Sequence, residues 1–390
     1  MAVAATHENF APITEDEIFA AHEGGQLRIS SALPIVDVRS LSIAYTPGVA
    51  RVSQAIAEQP ALATRYTSAS RLVAIVTDGT SVLGLGNAGP LAAIPVMEGK
   101  AALFKSIAGV DAIPLVFNTP DTEEIVRTLT CLRPSFGAVC IEDVASPRCF
   151  ALEERLSAVL DCPVVHDDQH GTAIAVLAAL RGACRVLGRP VESRRVVVVG
   201  AGAAGVACAD LLLAAGITDV TVLDSRGILH PGRSGMNEVK TPLAERSNPR
   251  GLRGGLDRAL AGADVLVGLS SSTVPEELMR TMAPEPIVFA LSNPTPEIAP
   301  DTASRYAGIV ATGGSDHPNQ VINTLASPGV FRGLLDSGAR RLTERMRLAA
   351  AEAIAAVAED GLAADRIVPS SLDPRLAPAV AARVAAAAEV

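Results

Sequence analysis

Lysine is nearly absent from this chain. Of its 33 basic residues, three are lysines: Lys100, Lys105 and Lys240. Codon usage accounts for such a bias as a whole. A lysine that survives it still stands out, because a guanidinium never gives up its proton and a buried amine can. Tyrosine is as scarce, at Tyr45, Tyr66 and Tyr306. An excess of positive charge is missing too: the net charge is −9, which excludes a nucleic-acid surface. No apolar run approaches the roughly 20 residues of a membrane span, so no membrane partner is expected. The first residues, "MAVAATHENFAPITEDEIFAAHEGG", lack a basic region followed by an apolar core, and no signal peptide is expected. The six cysteines form no C-x-x-C pair and most sit in apolar context. That excludes a disulfide framework and predicts a cytoplasmic protein.

What is present has an α/β rhythm. The 390 residues, 49% apolar and 19% charged, are those of a globular protein too long for one core, so two domains are expected. Short apolar runs such as "RLVAIVTDG", "AIPLVFN", "FGAVCIEDV", "RRVVVVG" and "ADVLVGLS" alternate with helical patterns. A helix is predicted over "PVMEGKAALFKSIAG", and another over "TAIAVLAALRGACRVLG", with Thr172 near its start and Gly188 past its end. The polar segment "HPGRSGMNEVKTPLAERSNPRG" reads as a surface excursion. The predicted division is an N-terminal α/β catalytic domain over residues 1–165, a Rossmann-type domain over 166–335 and a helical segment over 336–390.

The pattern G-x-G-x-x-G occurs twice, and context separates the copies. "GAGAAG", Gly200, Gly202, Ala203, Ala204 and Gly205 among its residues, follows a strand and opens a helix. The next strand ends at Asp224, 19 residues on, as a dinucleotide fingerprint requires. The pyrophosphate would rest on the helix N-terminus and Asp224 would accept from the ribose hydroxyls. Asp224 favours NAD, while Ser225 and Arg226 directly after it leave NADP open. "GLGNAG", Gly84 to Gly89, carries prolines at Pro90 and Pro95 and leads to a strand ending in Asn118. It reads as a turn shaping a substrate pocket.

Two strand ends are acidic. "CIEDV" offers Glu142 and Asp143, and "PVVHDDQHGTA" offers Asp167 and Asp168. Ligands of open α/β sheets gather at carboxyl ends of strands, and an all-oxygen anionic site suits Mg²⁺ or Mn²⁺. Zinc at His166 and His170 is the rival, and helix caps are the bland reading. On the helix after "GLGNAG", Val96, Leu103, Phe104 and Ile107 flank Lys100 at helical spacing. Burial there lowers an amine's pKa and makes Lys100 a candidate general base; a lysine whose tip snorkels to water is the alternative.

These motifs, with "SIAYTPGVA", "FALSNPTPEI" and "ATGGSDHPNQVINTLASPG", closely resemble the short bacterial malic enzymes over about residues 25–385 in the same order. The resemblance implies an amino-acid-dehydrogenase-like first domain with the C-terminal helices packing back on it. It implies oxidative decarboxylation of malate to pyruvate and CO₂ with NAD or NADP and Mg²⁺ or Mn²⁺, in a homodimer. Glu142, Asp143 and Asp168 look like the metal ligands. Lys100 looks like the base at the C2 hydroxyl with Asp167 beside it, and Tyr45 like the acid that protonates the enol. Asn293 and Asn323 resemble the asparagines that hold the substrate carboxylate and the nicotinamide side. The chain departs from the family at Ile322, where paired asparagines are usual, and at Ser327, where phenylalanine is. Ser81 stands near the place where animal-type relatives carry a carboxylate-binding arginine, so its hydroxyl and the turn amides would serve instead. An acyltransferase-like extension is not expected. A non-redox lyase on the same site, decarboxylating oxaloacetate or turning malate into lactate, is the alternative reading.

Overall fold

The computed structural model describes residues 13–388. Two parallel sheets carry the fold. The first holds β1 (Leu72–Thr77), β2 (Asp111–Val116), β3 (Ala138–Ile141) and β4 (Val164–His166) in the order β2-β1-β3-β4. The second holds β5 (Arg195–Val199), β6 (Asp219–Asp224), β7 (Gly227–Ile228), β8 (Val265–Gly268), β9 (Ile287–Ala290) and β10 (Ile309–Thr312). Its order is β10-β9-β8-β5-β6-β7, all parallel except the short β7. The inner strands β1, β3, β5, β8 and β9 are runs mainly of Val, Ile, Leu and Ala buried on both faces, the composition that parallel sheets demand, while the edge strand β2 is more exposed.

Each sheet has one switch point, where successive crossovers leave on opposite sides. In the first it lies between β1 and β3, and in the second between β5 and β8. Crevices outside the carboxyl ends of such strands are where α/β folds bind ligands. The chain puts Asp78 and Glu142-Asp143 at one switch point and Gly200 and Ser270 at the other.

The helix Asp167–Val186 joins the halves. It is apolar nearly all round, and Ala173–Leu180 is buried without a break, which places it inside the molecule rather than on its surface. One continuous core runs through it, from Val73, Ile75 and Phe104 of the first half to Val196, Val198 and Val206 of the second. The C-terminal helices Ser327–Ser337 and Leu376–Ala386 close this core. Phe331 meets Phe104 with ring centroids 5.2 Å apart, and Ala377 and Ala381 of the last helix line one pocket with Ile107 and Ala108, so the C-terminal helices return to the first half as expected.

Three expectations are corrected. The Asp167 helix starts five residues before Thr172, at the aspartates themselves, because carboxylates in a first turn suit the positive end of the helix dipole. The helix carrying Lys100 spans Pro90–Ala108 and starts five residues before Pro95. Pro90 takes a first-turn position, where its missing N–H costs nothing, and Pro95 is tolerated inside the helix. The supposed surface excursion folds back: it forms the helix Lys240–Arg246 with Leu243 and Ala244 buried, and returns Arg233 and Lys240 to Asp224.

Candidate active site

A cavity of about 590 Å³ opens at the first switch point, lined by Lys100, Glu142, Asp143, Asp168, Leu83 and Asn323 among others. Glu142 and Asp143 directly follow β3, and Asp168 is the second residue of the helix following β4. Adjacent strand ends thus bring together the acids predicted from two separate stretches. Asp143 takes a left-handed backbone conformation at φ 53°, which aspartate tolerates. Its amide donates to Asp168 Oδ2 at 3.1 Å, and its carbonyl accepts the Ser81 amide at 2.9 Å. Ser81 itself is exposed.

Lys100 is buried, though not in the stripe that spacing predicted. The core face of its helix is Ala93, Met97, Ala101 and Phe104; Val96 and Ile107 are half-buried and Leu103 is 36% exposed. Lys100 sits at the border of that face and points into the cavity. Its Nζ lies 2.9 Å from Glu142 Oε1 and donates to Asp167 Oδ2. The predicted direction of its pKa is reversed. Burial lowers it, but the charges of Asp167 and Glu142 outweigh burial and hold the ammonium protonated, well above its ordinary value. Asp143, buried beside Asp168, is raised to about 7.

Among the described residues no three acidic, imidazole or thiol side chains converge closely enough to hold an ion as they stand. The ammonium of Lys100 engages Glu142. The residues nonetheless fit a divalent cation, because Asp143 Oδ2 is buried with no partner, Asp168 carries an amide contact, and the donors are all oxygen. The zinc alternative loses one of its two imidazoles, because His170 is engaged by Glu153 and Arg347.

At the second switch point, Gly205 has the role the fingerprint assigns its third glycine. A Cβ there would lie 1.7 Å from the Gly200 carbonyl oxygen, so helix and strand could not pack. Gly202, Ala203 and Ala204 open the helix Ala203–Ala214 with no side chain capping it. Asp224 is not free. Arg233 and Lys240 both bond its carboxylate, Lys240 at 2.8 Å, and the Arg226 amide caps it at 2.9 Å. Ser225 and the Arg226 side chain are exposed beside it. The expected argument for NAD, a bare carboxylate repelling a 2′-phosphate, therefore loses its force. "GLGNAG" joins the two halves: a Cβ on Gly84 would meet Pro294 Cδ at 2.2 Å and the Asn293 carbonyl at 2.9 Å. Asn323 lines the cavity and Asn293 is exposed.

Tyr45 is not brought to the others. It is 65% exposed, between the helices Val38–Ala44 and Gly48–Glu58, neither of which has a buried residue. Three positions in contact with the site escaped the sequence reading. Ser327, noted only as a departure, is buried and donates to Asp167 Oδ1 at 2.5 Å. Glu297 accepts the Ser270 and Ser292 amides at the rim of the second switch point. Glu153 receives three donors beneath the acid pair. A Glu on a helix among other charged residues gives no local signal of burial.

Fold and site together define a two-domain α/β protein whose dinucleotide-binding half adjoins an acidic pocket with one buried lysine. Sequence models of the malic enzyme N-terminal domain and of the malic enzyme NAD binding domain match residues 25–157 and 169–389. The chain is 49% identical to the bifunctional malic/malolactic enzyme of Bacillus subtilis, over 93% of this chain and 90% of that one. It is 47% identical to the NAD-dependent malic enzyme of Geobacillus stearothermophilus, over 96% and 78%. The crystal structure of the NAD-dependent malic enzyme of Thermotoga maritima superposes with a TM-score of 0.90 at 41% identity, covering 96% of this chain and 99% of that one. The chain belongs to the malic enzyme family.

Proposed function

We propose that the protein oxidatively decarboxylates (S)-malate to pyruvate and CO₂ while reducing a nicotinamide dinucleotide, with Mg²⁺ or Mn²⁺ held by Glu142, Asp143 and Asp168. The observation that carries this reading is the buried contact of Lys100 with Glu142 and Asp167 at the switch point. When bound, the cation would polarise the C2 oxygen and stabilise the enolate left by loss of CO₂, and the nicotinamide would accept the hydride.

Lys100 takes the C2 hydroxyl proton. It is protonated while the acids around it carry full charge, so it acts once they are engaged and the amine can be neutral. Asp167, fixed by Ser327, holds the amine in place. Asn323, on the cavity wall, orients a substrate carboxylate, helped by the exposed hydroxyl of Ser81, and Asn293 serves the nicotinamide side. Tyr45 returns the proton to C3. In a single chain it stands on an arm whose apolar side chains, Ile29, Ile35, Val36, Leu41 and Ile43 among them, are exposed. A homodimer in which this arm is covered is the assembly we propose.

NAD is the proposed cofactor, with NADP turned over as well, since Arg226, Arg233 and Lys240 outnumber the charge of Asp224. The domain division at 165 and 335 and a cytoplasmic setting go with this reading; no helix among the described residues is long and apolar enough to cross a membrane.

The test is an initial-rate assay of malate with each cofactor, with and without Mn²⁺. Lys100→Ala and Lys100→Arg are both expected to lower kcat by about 10²- to 10⁴-fold, because a guanidinium cannot serve as the base. Near-wild-type turnover by either variant refutes the assignment of the base. Asp168→Asn is expected to weaken Mn²⁺ binding sharply, and unchanged affinity removes Asp168 from the ligand set.

A further inference from the structure

The helix that supplies Asp167 and Asp168 has its N-cap amide satisfied by another helix. Its N-cap is His166, and no side chain of its own caps it. Some helices of the chain are capped by their own side chains, Thr14 and Thr343 forming capping boxes. In a capping box a glutamate of the first turn takes the N-cap amide. Here the first-turn carboxylates are committed: Asp167 bonds Lys100 and Ser327, and Asp168 bonds the Asp143 amide. The amide must be satisfied from outside.

Glu153, on the helix Arg148–Val159, satisfies it. Its Oε1 accepts the His166 amide at 2.9 Å and His170 Nε2 at 2.9 Å, and its Oε2 accepts Gln169 Nε2 at 3.0 Å. These three donors straddle Asp167 and Asp168. The buried His166 ring has no hydrogen-bond partner at either nitrogen, so the hydrogen bond to Glu153 comes from its main chain. His170 extends the hold. Arg347, on the helix Glu344–Ala358, has its Nη1 at 3.2 Å from His170 Nδ1. Arginine only donates, so Nδ1 accepts and the ring hydrogen sits on Nε2, where Glu153 receives it.

We propose that Glu153 is a positioning residue for the reaction: its carboxylate replaces the missing cap and fixes where Asp167 and Asp168 stand relative to Lys100, Glu142 and Asp143. The inference rests on the reading that Asp168 holds the cation. It makes Glu153 an outer-shell partner of the metal, and such partners change metal affinity without touching the ion.

The test uses the full chain and two readouts: Mn²⁺ affinity from the electron paramagnetic resonance of free Mn²⁺ without malate, and steady-state kinetics at saturating Mn²⁺. Glu153→Ala is expected to lower Mn²⁺ affinity and kcat each by about 10- to 100-fold while KM for the nicotinamide cofactor stays within about twofold. Glu153→Gln keeps the length and an acceptor oxygen and should stay within about threefold of wild type. Glu153→Asp keeps the charge but withdraws it by one methylene, and should lose as Ala does; it replaces Ala as the deciding variant if Ala does not fold. The proposal is overturned if the deciding variant binds Mn²⁺ as wild type does. It is also overturned if Gln is crippled while Asp is normal, which would make charge rather than reach the requirement. Wild-type protein that binds no Mn²⁺ overturns the metal reading and this one together. Wild-type binding with indifferent variants overturns this one alone.

Discussion

At the scale of single residues, charge decides more than burial does. Lys100 and Asp224 are both withdrawn from water, and both stay charged because opposite charges face them. For Asp224, burial alone would raise the carboxyl, but hydrogen bonds from Arg233 and Lys240 prevail and hold it well below 3.8. A carboxylate depressed in this way stabilises the fold above its unfolded pKa and surrenders that stability as pH falls through the folded one. Asp224→Asn is therefore expected to cost about 2 kcal/mol at neutral pH. The loss should shrink as the pH drops below about 4. Urea unfolding at the two pH values checks this, and an equal loss at both contradicts it. Ser327 gives a second residue-scale prediction. Ser327→Ala removes the hydroxyl that Asp167 Oδ1 accepts at 2.5 Å, and should lower kcat by about tenfold with little change in cofactor KM. An unchanged kcat would make this contact incidental.

At the scale of elements, the sequence was most legible where one local pattern had one physical meaning. "RRVVVVGAGAAG" reads as strand, turn and helix because Gly200 and Gly205 each answer a close approach, and β5 with the helix Ala203–Ala214 is what forms. Gly205→Ala is expected to abolish measurable dinucleotide binding in titration calorimetry, since the added carbon would sit 1.7 Å from the Gly200 oxygen; retained affinity would remove the strand-to-helix turn from the cofactor site. The carboxylates at the ends of β3 and β4 were legible as well, because parallel strands deliver their ends to one edge. Helix starts were not. Asp167 was read as a strand end because its partners, Lys100 and Ser327, come from other elements, and Pro90 was read as a loop because a second proline, Pro95, follows it. Glu153 and Arg233 were illegible for the same reason: each acts on a residue distant in the chain or across a loop, and nothing local marks it.

At the scale of the whole molecule, the chain divides into a well-buried body and an exposed arm. The body shares one core through the helix Asp167–Val186. The arm exposes Ile35 at 54% and Leu41 at 44%, along with Tyr45. Replacing Ile35 and Leu41 together by glutamate should yield monomers in sedimentation equilibrium and a kcat lowered by about 10²-fold, the cost of losing a general acid. A wild-type protein that is monomeric at working concentration and fully active would contradict the dimer. Malate is either oxidised at this site or merely cleaved, and the two outcomes differ in their products. The most direct measurement is the ratio of pyruvate formed to nicotinamide reduced, followed with malate and Mn²⁺ in wild-type protein and in Lys100→Arg. Equimolar products from the wild type and almost none from the variant are predicted; lactate without net reduction of the cofactor, or undiminished turnover by Lys100→Arg, would contradict it.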